Sequence, residues 1–513
     1  MSMPPDPERV AGAAEAASPP AAGDGDAAGL DAAGGTRRIR LARSGAVELL
    51  PHGFRVIEPR GLKRSPTHLY DTITHVHDGA SLLLIGTTAG LITLRHTDFP
   101  DPKTGPAALR SALLERVAAQ PDGARQLAEM ERLEAMGDER RGCWAVWTVS
   151  ALCLLVTALQ LREPELEQMG AFMPELFLRG ETWRAVTAHF LHGLSPAPRF
   201  VSWLLGGLPW LPFHLAVNVG GLLVLGHLVE RPLGTTRTIL VLGASAVGTL
   251  AGILYSGHVE VIGASGLVAG LAGALLALEL HDPAAVPSYW RLPRRLFFGA
   301  LILQFVVVDQ IFDRYVAGGA HLGGFAGGYV GAWLIGRVSG NALVPEPRLR
   351  LAAIGVVLVG VGGLLGILPL ARHEPAALER HAMRLLDTPA ALYLNVHENA
   401  AAWFIATEGE ATPEALDLAI ALADRAVTST QRLHPGHLDT LAEALFQSGD
   451  ALGAVLTIEE AMRLAPFEPY YFEQRRRFLG ERHPDDRPPP PGTRAPDEDD
   501  GLPIDPNAPR VVV

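Results

Sequence analysis

Seven long apolar stretches lie between residues 143 and 371, separated by short polar segments that often contain arginine. Inside a bilayer no water is available to hydrogen-bond the backbone, so such a stretch crosses only as a helix that satisfies its own amides. At roughly 1.5 Å per residue, each stretch approaches the ~30 Å thickness of the hydrocarbon core. The sequence therefore predicts an α-helical polytopic membrane protein in a lipid bilayer. The predicted spans are 143–161, 211–229, 239–255, 262–280, 296–312, 317–336 and 351–371.

The placement of arginines predicts an orientation for these spans. Arginines precede the first span and recur in every second connecting segment, which puts those segments and the N-terminus on the cytoplasmic side. Seven spans then leave the C-terminal part on the opposite side. The net charge of −12, without a basic stripe, argues against a nucleic-acid partner. The arginines are Arg140, Arg141, Arg231, Arg237, Arg291, Arg294, Arg295, Arg337, Arg348 and Arg350.

The segments before the apolar block differ in composition from it. Residues 1–35 are rich in Ala, Gly, Pro and Asp and are predicted to be disordered. They lack the apolar core of a signal peptide. They also show no organelle-type presequence, so a bacterial inner membrane is the simplest expectation. Residues 36–120 alternate short β-prone segments with Gly and Pro turns and end in a helix, an order that resembles a pleckstrin-homology-like domain. Residues 121–141 predict a charged juxtamembrane helix.

The segments after the apolar block predict a soluble helical domain at residues 375–480. The run from Asp439 to Pro466 places small residues where two helices would pack, which resembles a tetratricopeptide repeat. Such repeats bind other proteins, so protein partners are expected here. The tail, 481–513, is predicted to be disordered because it is rich in proline and acidic residues.

Two glycine-rich segments inside the apolar block carry the residues of a hydrolytic site. One contains Gly263-Ala264-Ser265-Gly266, and the other contains Ala320-His321-Leu322-Gly323-Gly324. A hydroxyl and an imidazole are costly at membrane depth unless they have partners. The arginine-derived topology places both segments at the same, non-cytoplasmic side. Facing small residues allow two membrane helices to approach closely. We therefore predict Ser265 as a nucleophile and His321 as its general base.

A third segment supplies two possible hydrogen-bond donors. His214 and Asn218 lie one helical turn apart near the same end of the second predicted span, so they share one helix face. Both can donate to a developing oxyanion. The alternative interpretation is that they are polar contacts between membrane helices.

These residues together make the chain resemble the rhomboid intramembrane serine proteases. The resemblance implies a six-helix bundle, residues 142–340, followed by a seventh transmembrane helix at residues 341–372. It implies a Ser265–His321 dyad without an acidic third member, an oxyanion site at His214 and Asn218, and no metal or cofactor. The matching residues are Trp183, Arg184, Thr187, Phe190, Leu191, His192, His214, Asn218, Glu230, Gly234, Gly263, Ala264, Ser265, Gly266, Ala320, His321, Leu322, Gly323 and Gly324.

Within this resemblance, several matching residues have structural rather than chemical roles. Arg184, next to Trp183, is implied to tie the first loop together. Gly263 and Gly266 flank the serine, and Gly324 follows the histidine, where small residues permit close packing.

Two departures from the family pattern bear on the site. The stretch Gly193–Phe213, with Trp203 and Trp210, enlarges the first loop. Ala269 stands where the family usually has an aromatic ring against the catalytic histidine. Asp309 and Asp313, at the end of the fifth span, are interpreted as interfacial residues.

The expected function is cleavage of transmembrane protein substrates by the Ser265–His321 dyad. The alternative is a catalytically inactive rhomboid-like scaffold that binds membrane clients. A transporter would need an inverted repeat or a pair of broken helices, and neither is evident in the sequence.

Overall fold

The computed structural model describes most of the chain between residues 35 and 489. Several predicted features lie outside the described residues: nearly all of the segment 1–35, most of the tail 481–513, and the loop stretch with Trp203 and Trp210. Arg140, Arg141, Arg291 and Asp313 also lie outside them. The chain divides into two compact units, Met1–Ala135 and Met136–Val513. The described ranges are 35–57, 66–137, 142–194, 212–281, 293–311, 317–339, 347–408 and 411–489.

The first unit contains the predicted small β-rich region, built as two antiparallel sheets. The sheet order is β1-β2-β3-β4 in one and β5-β6-β7 in the other. Its core buries Phe54, Ile85 and Leu109 completely. Its likeness to a pleckstrin-homology domain stays a prediction. The strands are β1 (Arg37–Arg40), β2 (Ala46–Leu49), β3 (Gly53–Ile57), β4 (His68–Leu69), β5 (Ile73–Asp78), β6 (Leu82–Thr87) and β7 (Gly90–Arg95), and the helices that follow are α1 (Gly105–Ala118) and α2 (Gly123–Gly137).

The second unit begins with the helices of the apolar block. Among the described residues, three helices are long and apolar enough to cross a membrane: Phe213–Leu233, Thr235–Ser256 and Pro347–Ala371. Two shorter apolar helices, Trp144–Gln160 and Ser265–His281, lie among them. The elements are α3 (Trp144–Gln160), α4 (Leu166–Gly170), α5 (Pro174–Leu178), α6 (Arg184–Thr187), α7 (Phe213–Leu233), α8 (Thr235–Ser256), α9 (Ser265–His281), α10 (Arg294–Ile302), a π-helical turn (Leu303–Val308), α11 (Asp309–Ile311), α12 (Gly318–Ser339), α13 (Pro347–Gly366) and α14 (Leu368–Ala371).

Helix α12 packs against α8 and α9 through glycines. A side chain added at Gly324 would overlap the backbone carbonyl of Gly266 on α9. One added at Gly323 would overlap the carbonyl of Gly248 on α8. Because no Cβ intervenes, the helix backbones touch, as expected for a small-residue interface in a membrane. This contact brings the start of α12 next to the start of α9.

The junction between α7 and α8 also holds the start of α3. The carboxylate of Glu230 accepts hydrogen bonds from the backbone amides of Ala145 and Val146, each at 3.0 Å. It also accepts one from the hydroxyl of Thr235 at 2.7 Å. A negative charge at a helix N-terminus satisfies amides that have no partner within the helix and interacts favourably with its dipole. Glu230 therefore joins three apolar helices at one end of the bundle.

The C-terminal part of the second unit is a set of packed helices. Fully buried alanines, among them Ala402, Ala423 and Ala442, let the helices approach closely. The assignment of these helices as tetratricopeptide repeats, and their protein partners, stay predictions. The helices are α15 (Pro375–Asp387), α16 (Asn395–Thr407), α17 (Pro413–Ser429), α18 (Pro435–Gln447), α19 (Ala451–Leu464) and α20 (Pro469–Phe478).

These C-terminal helices are docked on the loop between α3 and α7. Met173 and Leu176 of that loop share a hydrophobic core with Leu378 and Leu385 of α15. Glu181 of the loop lies 2.7 Å from the Nδ1 atom of His381. His397 of α16 lies 3.5 Å from Glu260, in the segment that precedes Ser265. The C-terminal helices and Ser265 therefore lie at the same end of the helical bundle.

Candidate active site

Ser265 and His321 are brought together, each at the start of a helix. Ser265 is the first residue of α9, and the turn before it uses Gly263 at φ 116°, a conformation that favours glycine. His321 lies in the first turn of α12. The distance between Ser265 Oγ and His321 Nε2 is 2.8 Å. The side chain of His321 is 9% exposed. This arrangement allows the imidazole to accept the serine proton.

The other ring nitrogen of His321 has an acidic partner. Its Nδ1 atom lies 2.9 Å from Oδ1 of Asp309, whose side chain is only 1% exposed. The interpretation of Asp309 as an interfacial residue is therefore wrong, because the carboxylate is buried against the imidazole. A signal existed in the sequence: an ionisable residue next to an apolar span usually has a functional reason to be there.

The backbone that presents Asp309 is unusual. The six residues before it, Leu303–Val308, form a π-helical turn. Such turns are rare and are often found at functional sites. From this turn, the Gln304 side-chain amide donates a hydrogen bond of 2.8 Å to the same Oδ1 atom of Asp309. Gln304 was not identified from the sequence, since a single glutamine in an apolar stretch carries no specific motif.

His214 and Asn218 lie beside the turn that carries Ser265. A Cβ added at Gly263 would lie 2.7 Å from Nε2 of His214 and 3.4 Å from Nδ2 of Asn218. Nδ2 of Asn218 is buried and makes no hydrogen bond to the described residues. Buried donors without partners are uncommon in folded proteins. The two side chains and the first amides of α9 are thus donors available near Ser265.

The loop between α3 and α7 is held by Arg184 and Trp183. Arg184 is fully buried and donates to the carbonyls of Gln168 at 3.0 Å and Ala171 at 2.7 Å. Trp183 donates to the carbonyl of Met169 at 3.2 Å. These contacts fold the loop upon itself.

The same loop is hydrogen-bonded to the serine turn. The amide of Gly263 donates to the carbonyl of Ala188 at 2.8 Å, and Phe172 forms a β-bridge with Val261. The loop therefore fixes the backbone of the segment 261–263, which precedes Ser265.

Two loop histidines near the site are neutral at physiological pH. Burial lowers the pKa of His189 to about 4. Burial, and then the neighbouring His214, lower the pKa of His192 to about 4 as well.

In the part of the chain that the structure describes, no group of three or more His, Cys, Asp or Glu residues could hold a metal ion.

Comparison with known proteins points to one family for this region. Residues 210–338 match the rhomboid domain. The chain is 28% identical over 224 residues to "Rhomboid protease GluP" of Bacillus subtilis (strain 168), which is 42% of this chain and 38% of that protein. It is 28% identical over 174 residues to "RHOMBOID-like protein 5" of Arabidopsis thaliana, which is 32% of this chain and 48% of that protein.

These similarities support the rhomboid family for the membrane part of the chain. The matched region spans less than half the length of both relatives. The rhomboid domain and the apolar helices together support a multi-pass membrane protein. The domain match contains Ser265, His321, Asp309, His214 and Asn218, so the geometry described above lies within it.

Proposed function

We propose that the chain is an intramembrane serine endopeptidase that hydrolyses peptide bonds in or near transmembrane segments of other membrane proteins. The observation that carries the proposal is the distance of 2.8 Å between Ser265 Oγ and His321 Nε2, within the region that matches the rhomboid domain. A nucleophile and a base at this distance are the minimal apparatus of acyl transfer.

In the proposed reaction His321 acts first as a base and then as an acid. The Ser265 hydroxyl loses its proton to Nε2 as Oγ bonds the substrate carbonyl carbon. His321 returns this proton to the leaving amine when the peptide C–N bond breaks. Water, activated by the same imidazole, then hydrolyses the acyl-enzyme.

The developing oxyanion needs donors that are already in place. We assign this role to Asn218, His214 and the first backbone amides of α9. The free Nδ2 of Asn218 supports the assignment, since it is buried beside Gly263 without a partner among the described residues. Such donors act strongly when water is excluded.

The surroundings of the site suggest the kind of substrate and the cellular location. Ser265 and His321 start apolar helices, so a transmembrane segment entering from the bilayer could reach them. We propose that the N-terminus is cytoplasmic and that the C-terminal helices lie on the opposite side of a bacterial inner membrane. Those helices, if they are tetratricopeptide repeats, would recruit protein partners at the same end as Ser265.

Labelling of the purified full-length protein with a fluorescent fluorophosphonate tests the proposal. The wild type should be labelled, and Ser265→Ala should not be. His321→Ala should reduce the labelling rate by at least about 10³-fold, because the hydroxyl then has no base. Absence of labelling in a folded wild-type protein would refute the proposal and favour an inactive scaffold that binds membrane clients. Equal labelling of Ser265→Ala would show that another serine reacts.

A further inference from the structure

We propose that Asp309 is a positioning residue that holds the imidazole of His321 in the tautomer and orientation needed for catalysis, so that the site is a Ser265–His321–Asp309 triad. This inference rests on the proposed function, because it assigns a third member to the same site. It departs from the dyad that the rhomboid resemblance implies.

The distances determine where the imidazole proton lies. An ionised carboxylate only accepts hydrogen bonds. Oδ1 of Asp309 lies 2.9 Å from Nδ1 of His321, so the proposed triad places the proton on that nitrogen. Nε2 is then an acceptor, and it faces the Ser265 hydroxyl at 2.8 Å. When Nε2 takes the serine proton, the positive imidazolium lies against the Asp309 carboxylate.

Asp309 is itself held in place. The Gln304 amide donates to Oδ1 at 2.8 Å and contacts Nδ1 of His321 at 3.5 Å. A Cβ at Gly318 would lie 3.1 Å from the Cβ of Asp309, so α12 begins closely packed against the aspartate. The carboxylate therefore has a narrow choice of positions, which is what a positioning residue requires.

The residue four positions after Ser265 is consistent with this role. Ala269 offers only a methyl group one turn along α9, so no ring at that position can stack on the imidazole. Asp309 contacts the imidazole from the Nδ1 side, and Gln304 holds Asp309 through its own hydrogen bond to Oδ1.

The isosteric variant Asp309→Asn separates a positioning role from a structural one. Its amide nitrogen would donate one hydrogen to Nδ1 and the other to the Gln304 side-chain oxygen, once the Gln304 amide has turned over, because two amide donors cannot face each other. The imidazole proton then lies on Nε2, where it blocks acceptance of the serine proton. We expect the fluorophosphonate labelling rate of Ser265 at pH 7 to fall by about 10²- to 10⁴-fold. The rate should then rise steeply towards pH 10, because hydroxide can replace the lost base.

Asp417→Asn is the matched control. Asp417 is exposed on α17, and the variant removes the same charge outside the region that matches the rhomboid domain. It should label at the wild-type rate at every pH. A purely structural role for Asp309 would lower the rate by the same factor at all pH values. That result, or a rate for Asp309→Asn within twofold of the wild type, would overturn the inference.

A second measurement does not depend on activity. ¹⁵N NMR of histidine-labelled protein, with His321→Gln used to identify the signal of residue 321, reports which ring nitrogen is protonated. We expect the proton on Nδ1 in the wild type and on Nε2 in Asp309→Asn. Suppose that the proton moves from Nδ1 in the wild type to Nε2 in Asp309→Asn, but that fluorophosphonate does not label the wild type. The positioning role then stands and the proposed protease function fails. If the wild type is labelled and the tautomer is unchanged in the variant, the positioning role fails and the protease function stands.

Discussion

Glu181 is a buried polar contact through which docking of the C-terminal helices can be tested. Its side chain is fully buried, and Oε2 accepts a hydrogen bond of 2.6 Å from Nε of Arg184, which is also fully buried. Oε1 lies 2.7 Å from Nδ1 of His381 on α15. Glu181→Gln keeps the shape of the side chain but leaves the Arg184 guanidinium without its counter-ion. Loss of one partner from a buried pair costs about 3–5 kcal/mol.

The stabilisation that Glu181 contributes should depend on pH, and its pKa gives the direction of that dependence. Burial alone would raise the pKa of Glu181, but the charges and hydrogen bonds of His381 and Arg184 outweigh it and lower the pKa from 4.5 to about 2. A carboxyl whose pKa is lowered by folding stabilises the protein fully above about pH 4.5. That stabilisation is lost as the pH falls from about 4.5 towards 2.

Thermal unfolding of the full-length protein in detergent, followed between pH 7 and pH 3, measures both effects. At pH 7 Glu181→Gln should unfold several degrees below the wild type, and the gap should narrow as the pH approaches 3. Arg384→Gln should cost less than about 1 kcal/mol, since Arg384 is 25% exposed and lies 3.6 Å from Glu181. Glu414→Gln, at an exposed position on α17, is the neutral control. Equal stability of Glu181→Gln and Glu414→Gln, or a gap that does not depend on pH, would refute the reasoning.

Three further predictions concern the oxyanion donors, the helix interface and the C-terminal helices. Asn218→Ala should lower kcat by about 10²- to 10³-fold in a cleavage assay, with KM nearly unchanged. Gly324→Ala should lower the free energy of unfolding by about 1–3 kcal/mol, because its methyl group would overlap the Gly266 carbonyl. The variant should therefore unfold at a lower temperature than the wild type. Gly355→Ala has open space and should be neutral or stabilising in the same assay. Burial raises the pKa of Asp439 from 3.8 to about 7, so wild-type stability should fall as pH rises from about 4 through 7. Asp439→Asn should remove that dependence when denaturation is followed between pH 5 and pH 8.

The positions of the apolar helices could be predicted from the sequence because composition determines them. The predicted span 262–280 corresponds to α9, Ser265–His281, and the predicted span 239–255 lies within α8, Thr235–Ser256. The Ser265–His321 contact was also predicted. Glycines on two helices restrict how those helices can pack, and this restriction brings the two side chains together.

The position of Asp309 could not be predicted by the same reasoning. Sequence periodicity assumes 3.6 residues per turn, and the π-helical turn at Leu303–Val308 holds more. Every residue after that turn is therefore rotated relative to the face that an α-helix would give it. The contact between Glu181 and His381 was missed for a different reason. The two residues are 200 positions apart in the sequence, and no sequence motif contains both of them.

The two contacts that could not be predicted, Glu181–His381 and Asp309–His321, lie on different sides of the candidate site. Glu181 ties the loop between α3 and α7 to His381 of α15, and the carbonyl of Ala188 in that loop accepts a hydrogen bond from the amide of Gly263. The C-terminal helices are thus connected to the backbone of Ser265 through this loop and also through the contact of His397 with Glu260, whereas Asp309 contacts His321. Loss of docking should therefore disturb the serine rather than the imidazole. We expect Glu181→Gln to slow fluorophosphonate labelling by one factor at all pH values above 5, whereas Asp309→Asn changes the shape of the pH profile.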